Sequence, residues 1–285
     1  MKMIFEGDRA YDPMTLGLIR GIPSRHGIIG ALHDIAPGEI WPERDIAGLR
    51  ETAAESFGLP LDAVSNLPVH EDIIMGRGEC QVYTNNYKEN IANLARNNVK
   101  CVCYRFALPM RADTIDEELW ENLKIFIDEI IPVASKCGVN MALYASNETD
   151  EAFIDKFMSM NRERENGLAM YSSLDIRFRN GFRKMVRKYG ALGRVHLAYL
   201  YTSKILDDIF FNEKEEPFQG VSPNLTQIIK TFYDADFDGY LCPGTGDMLA
   251  GEAENFRDTS NATQDIALGA TYLSGIWEML KTCAC

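Results

Sequence analysis

The sequence predicts an α/β protein, a single (β/α)8 barrel spanning residues 1–285, and three observations predict it. Eight short apolar runs recur along the chain with helical or loop segments between them. Several runs, such as Gly27-Ile28-Ile29-Gly30-Ala31-Leu32 and Val99-Lys100-Cys101-Val102-Cys103-Tyr104, are almost continuously apolar, as parallel strands covered on both faces must be. The 285 residues suit one such barrel, and no repeat, linker or composition shift divides them.

The strands expected are Lys2–Glu6, Ile28–His33, Leu61–Leu67, Lys100–Ala107, Val139–Ala145, Gly167–Ser172, Arg194–Tyr201 and Gly239–Pro243. Asp12-Pro13 supplies an N-cap and a first-turn proline for a short helix over Met14–Arg20. The helix Ile115–Gly138 carries Ile115, Leu119, Leu123 and Ile127 on one stripe, with Asp116, Glu117, Glu121 and Lys124 facing away and Gly138 closing it. Tyr83–Asn97, Ser222–Asp236 and Ala262–Leu280 complete the predicted helices.

Composition narrows the function. With 46% hydrophobic and 25% charged residues the chain is globular, and its net charge of −13 repels phosphate backbones and anionic lipid. Neither nucleic acid nor a membrane is an expected partner. No apolar run approaches the ~20 residues of a membrane span, and Met1 to Asp8 turns acidic before a signal-peptide core forms. The seven cysteines show no framework spacing and no Cys-x-x-Cys pair, so reduced thiols and a cytoplasmic location are expected. The basic run Arg177, Arg179, Arg183, Lys184, Arg187 and Lys188 reads as a solvated helix face or, second, as an interface with an acidic neighbour.

Chemistry in such a barrel sits at the C-terminal strand ends. Those ends carry His33-Asp34, His70-Glu71-Asp72, Tyr104-Arg105, Tyr144, Tyr171, His196 with Tyr199 and Tyr201, and Pro243 through Asp247. Neither a Gly-rich phosphate loop nor a nucleophile elbow is among them.

These residues resemble the mannonate dehydratase family. The likeness lies in Asp12-Pro13-Met14-Thr15-Leu16, the stretch from Ala31 to Trp41, Pro68-Val69-His70-Glu71-Asp72-Ile73, Val102 to Phe106, Phe237-Asp238-Gly239-Tyr240 and Ala267 to Trp277, in family order. The resemblance implies a xylose-isomerase-like TIM barrel that dehydrates D-mannonate to 2-keto-3-deoxy-gluconate with a divalent metal, typically manganese, in hexuronate catabolism. It also implies that this chain lacks a long insertion after the fourth strand, near Pro109-Met110-Arg111. The family takes its metal ligands from a His ending strand five, a Cys ending strand six, the second His of a His-x-x-His on strand seven and an Asp after strand eight. This sequence carries Tyr144, Tyr171, Tyr199 and Gly244 there. His196 matches the other histidine of that pair, Thr245 the family's acid–base His, and Gln264 its Tyr near the last helix. A phenol, with a reference pKa near ~10, is a poor ligand for such a metal, so no metal and no other cofactor is expected.

Roles follow with their alternatives. His70 and Glu71 act as an acid–base pair on substrate hydroxyls or buttress the loop after strand three, and Tyr199 joins them as a catalytic residue. His33 contacts substrate or is structural; Asp34 stands where the family shows a second His. Tyr104-Arg105 replaces a Tyr-Asn pair, and Arg105 binds a substrate carboxylate or pairs internally with Glu71 or Asp72. Tyr144, Tyr171 and Tyr199 ring the former metal position as donors and stacking faces, or fill the hole, and His196 with Tyr104 completes the binding set. The reading is a lyase or isomerase-type enzyme acting on a sugar acid or related carbohydrate without the family's metal. The alternatives are a non-catalytic sugar-acid-binding paralogue or partner subunit, and authentic D-mannonate dehydration. The sequence leaves self-association into a homo-oligomer open.

Overall fold

A computed structural model of the chain describes residues 1–8, 11–107, 110–145, 149–172, 176–201, 222–244 and 259–283. Eight parallel strands close into a barrel in sequence order. They are β1 (Lys2–Glu6), β2 (Arg25–Gly30), β3 (Leu61–Val64), β4 (Cys101–Tyr104), β5 (Asn140–Ala145), β6 (Asn166–Ser172), β7 (Val195–Tyr201) and β8 (Tyr240–Gly244). All eight predicted runs become strands. Several edges move, most at β2, where the polar Arg25 and His26 enter the ladder because Arg25 pairs with Met3.

The described helices are α1 (Pro13–Gly21), α2 (Glu43–Phe57), α3 (Glu71–Met75), α4 (Cys80–Arg96), α5 (Glu117–Cys137), α6 (Glu151–Met160), α7 (Ile176–Met185), α8 (Ser222–Asp234) and α9 (Thr259–Cys283). Local chemistry sets several ends. Asp12 accepts from the Met14 and Thr15 amides at 2.9 and 3.0 Å, Asp116 from Leu119 at 2.9 Å, and Asp150 from Phe153 at 2.5 Å. Gly138 ends α5 with φ of 67°, a left-handed cap that suits glycine. Helices α2, α3 and α6 are absent from the sequence reading, and α7 enters it only as the helix face of the basic run. Their polar faces dilute the apolar stripe; α2 buries only Ile46, Ala53 and Phe57.

Strand alternation divides the core in two. Ile4, Ile29, Ala63, Cys101, Cys103, Ala142, Ala169, Leu197, Tyr199, Tyr240 and Cys242 fill the barrel interior, with Tyr144 and Tyr171 packed against them. The larger cluster, including Phe5, Val102, Tyr104, Phe126, Phe157 and Leu200, lies between barrel and helices. The N-terminal end is closed by polar contacts: His26 pairs with the buried Asp62, and the Lys2 ammonium lies 5.4 Å from the Tyr240 ring centre. The Cβ that Gly27 lacks would collide with the Asp62 carboxylate. No described helix is long and apolar enough to cross a membrane. Of the basic run, Lys184 and Lys188 pair with Glu151 and Asp155 on α6 at 2.5 and 2.7 Å, while the Arg177 and Arg179 side chains lie outside the described residues.

Candidate functional site

The C-terminal mouth of the barrel is paved by phenols. Tyr144, Tyr171 and Tyr199 end β5, β6 and β7 on the inward face, with ring centres 6.2 Å apart for Tyr144–Tyr171 and 6.3 Å for Tyr144–Tyr199. Burial pushes the Tyr199 phenol well above its ordinary pKa, and the Cys103 thiol and Glu6 carboxylate add to the rise. Tyr199 is therefore a neutral O–H donor at any physiological pH. Its hydroxyl is buried beside the Cys103 thiol, where its hydrogen-bonding influence partly offsets the rise that burial imposes on that thiol.

Arg105 follows β4 on the inward face, because Cys101 and Cys103 both point into the barrel. The β4–β5 register pairs Tyr104 with Leu143, so the next step sets Arg105 alongside Tyr144. It is exposed, and its charge reaches the Cys103 thiol. Glu71 and Asp72, the carboxylates considered as its internal partners, are both engaged by Arg77 at 3.2 and 3.0 Å.

Glu6, which the sequence reading treated only as the last residue of a strand, belongs to the same mouth. It sits two positions beyond the inward Ile4, pairs in register with the inward Ile29, and is 6% exposed. Carrying the β1–β8 register of Lys2 with Tyr240 and Met3 with Leu241 forward sets Glu6 beside Gly244. Among the described residues, a Cβ on Gly244 would meet nothing within 4 Å. Above Glu6, the exposed His33 holds Asp8 at 3.2 Å from its Nε2.

The motif around His70 makes local contacts at the start of α3. His70 caps α3, its Nδ1 accepting from the Asp72 amide at 3.2 Å, and its ring stacks on Tyr83 with centres 3.8 Å apart. Glu71 is exposed, and its carboxylate pairs with Arg77 at 3.2 Å. The neighbouring loop is stitched to α4 by asparagines: Asn86 donates to the Gly38 carbonyl, Asn90 to Glu39 and Asn93 to Trp41, at 2.8, 3.0 and 3.0 Å. Gly38 takes φ of 86° where Tyr83 and His70 leave no room for a side chain.

Two predicted binding residues point elsewhere. Tyr104 alternates with Cys103, faces the helices, and packs edge-on against Phe106 at 5.7 Å, fully buried. His196 alternates with Leu197, lies outside the barrel wall, and bonds through Nε2 to the Arg164 carbonyl at 2.9 Å. Its burial lowers its pKa to about 4. Thr245 and Asp247 lie outside the described residues, and Gln264 sits half-buried on α9. Among the described residues, no three His, Cys, Asp or Glu side chains gather as a metal ion requires.

A sequence profile of the D-mannonate dehydratase (UxuA) family matches residues 1–113 and 108–284. The chain belongs to the D-mannonate dehydratase family. Members similar to it include the mannonate dehydratase of Thermotoga neapolitana, 29% identical with 99% of this chain and 98% of that protein aligned. Mannonate dehydratase 2 of Halalkalibacterium halodurans is 28% identical over 95% and 97% of the two chains. The Thermotoga alignment runs over 358 positions against 285 residues here, so that relative carries dozens of residues this family member lacks. The two profile matches meet at residues 108–113, where the missing insertion was expected. The fold agrees with that of a mannonate dehydratase from Streptococcus suis, with TM-score 0.74, 24% identity and 100% and 96% of the chains covered. A D-psicose 3-epimerase shares the barrel at TM-score 0.60 and 14% identity, over 97% and 99% of the chains.

Proposed function

We propose that this protein acts on a sugar acid as a lyase or isomerase-type enzyme whose mouth works without the family's divalent metal. The observation that carries this reading is the donor set at the four positions where the resemblance puts the metal ligands. Three are phenols, one of them kept neutral by burial, and the fourth has no side chain. Such donors do not fit a divalent cation, which wants carboxylate, imidazole or thiolate. They fit hydrogen bonding to sugar oxygens instead.

Conversion of a sugar acid starts with loss of the weakly acidic proton on the carbon beside the carboxylate. The electron pair left behind moves into the carboxyl group, whose charge then needs stabilising. Arg105, a guanidinium suited to bidentate carboxylate binding, supplies that, with the mouth phenols as neutral donors. The His33–Asp8 pair at the rim is placed to hold a proton. In a lyase outcome the neighbouring hydroxyl then leaves and takes up a proton as water; in an isomerase outcome the proton returns to carbon.

The test is a thermal-shift panel of hexonates, hexuronates and keto-sugars, run in EDTA and in Mn²⁺, with a colour assay for 2-keto-3-deoxy acids on each hit. The expected result is a Tm rise with at least one sugar acid in EDTA, and product formed without added metal. A shift and turnover that appear only with Mn²⁺ would overturn the proposal. Binding without product would assign the non-catalytic, sugar-acid-binding role.

A further inference from the structure

Helices α1 and α9 together present an outer face unlike the rest of the described surface. The Thr263 hydroxyl of α9 bonds to the Asp12 carboxylate at 3.4 Å, and the Ser24 and Ser274 hydroxyls bond to each other, so the two helices run side by side in the same direction. Counted from those two ties, Leu18 and Leu268 stand at the same height on adjacent helices, 39% and 44% exposed. Met14 lies one turn before Leu18 and is 63% exposed; Met279, at 49%, lies about three turns beyond Leu268. Four of the nine large hydrophobic side chains exposed among the described residues therefore share these two helices. Charge is scarce there too. In the 9 residues of α1 and the 25 of α9 the charged side chains are Arg20, Asp265, Glu278 and Lys281, two of each sign. By contrast, the 15 residues of α2 carry Glu43, Arg44, Asp45, Arg50, Glu51 and Glu55.

We propose that the paired outer face of α1 and α9 is the surface through which two copies of this chain associate as a two-fold dimer. The charges favour a second copy over other occupants. Each chain carries −13, so two copies repel unless they meet where neither brings net charge, and the four charged side chains of this face cancel. A two-fold contact also needs one face complementary to itself, which a neutral apolar face is and a like-charged one is not. The size is suitable. At the usual rise α9 is about 37 Å long and α1 about 14 Å; with a width near ~10 Å each, they outline roughly 500 Å² before side-chain relief. That is of the order of the ~800 Å² per partner in a standard interface. Gly17 and Gly275 sit in the middle of their helices, exposed, where an added Cβ would meet nothing within 4 Å among the described residues. Glycine there weakens each helix relative to alanine, and its lack of a side chain lets a facing helix come close. The inference stands apart from the sugar-acid reading and does not depend on it.

The test is sedimentation of the full chain from roughly 1 to 100 μM, a range that brackets a micromolar Kd, with circular dichroism confirming that each variant is folded. Wild type is expected to reach twice the 32.1 kDa chain mass within that range. Leu18→Glu and Leu268→Glu each place a carboxylate at the centre of the contact and are expected to weaken the dimer about a hundredfold or more. Leu192→Glu, at a 61% exposed turn outside both helices, is expected to leave it unchanged. Should Leu268→Glu fail to fold, Met14→Glu on the exposed side of α1 carries the same test. Raising salt from roughly 0.05 to 0.5 M screens the repulsion between the two acidic chains, so the wild-type dimer is expected to tighten. Wild type that stays at the single-chain mass up to the highest concentration would overturn the proposal. So would a dimer that survives Leu18→Glu and Leu268→Glu, one lost in Leu192→Glu, or one that loosens as salt rises, since each places the contact on another surface.

Discussion

His196 offers the sharpest test of the division between mouth and scaffold. Its ring lies outside the barrel wall, where a Cβ on Gly167 would sit 2.3 Å from Nε2, and its Nε2 bonds to the Arg164 carbonyl. Burial, opposed in part by that bond, lowers the folded-state pKa from 6.5 to about 4. Because the folded value is depressed, the contribution is fully present above the unfolded pKa and is lost as pH falls toward the folded one. Each unit of difference is about 1.36 kcal/mol, so the full loss is roughly 3.4 kcal/mol, of which roughly 2.6 is gone by about pH 4.5. The assay is urea unfolding at intervals from about pH 7.5 to 4.5, for wild type and for His196→Gln, whose amide nitrogen approximates Nε2. The wild-type curve should drop more steeply than the variant's by roughly 2–3 kcal/mol over that range. Parallel curves would refute the account of a buried neutral histidine, and sugar-acid binding lost in the variant would return His196 to the mouth.

Other substitutions separate the same roles. Tyr104→Phe removes a buried hydroxyl that has no hydrogen-bond partner among the described residues and faces the helices, so thermal unfolding should show equal or slightly higher stability, by up to about 1 kcal/mol, with unchanged ligand response. His70→Ala deletes the α3 cap and the stack on Tyr83, and should cost about 1–2 kcal/mol in urea unfolding. Arg105→Ala, at an exposed position, should change stability by less than about 0.5 kcal/mol and abolish the Tm shift with sugar acids; a retained shift removes Arg105 from carboxylate binding.

The barrel was legible because its strands are covered on both faces, which leaves runs such as Lys100-Cys101-Val102-Cys103 apolar throughout. The same property hides which residues point inward. Tyr104 and Arg105 look equally placed in sequence, yet the parity set by Cys101 and Cys103 sends the first to the helices and the second to the mouth. Glu6 was missed for a related reason. A lone carboxylate ending a strand reads as solvent-facing until Ile4 and the pairing with Ile29 establish its side. The His70-Glu71-Asp72 motif carries no sign of its contacts with Arg77 and Tyr83, because those residues come from later turns of the chain. Helix α2 escaped because its buried residues are few and its solvent face heavily charged, and α6 because a ten-residue helix gives only a short stripe.

The most direct measurement is anomalous diffraction from crystals grown with Mn²⁺ and D-mannonate together. The account predicts the acid's carboxylate against Arg105, with no anomalous peak among Tyr144, Tyr171, Tyr199 and Gly244. A manganese peak at bonding distance from those phenol oxygens would contradict it.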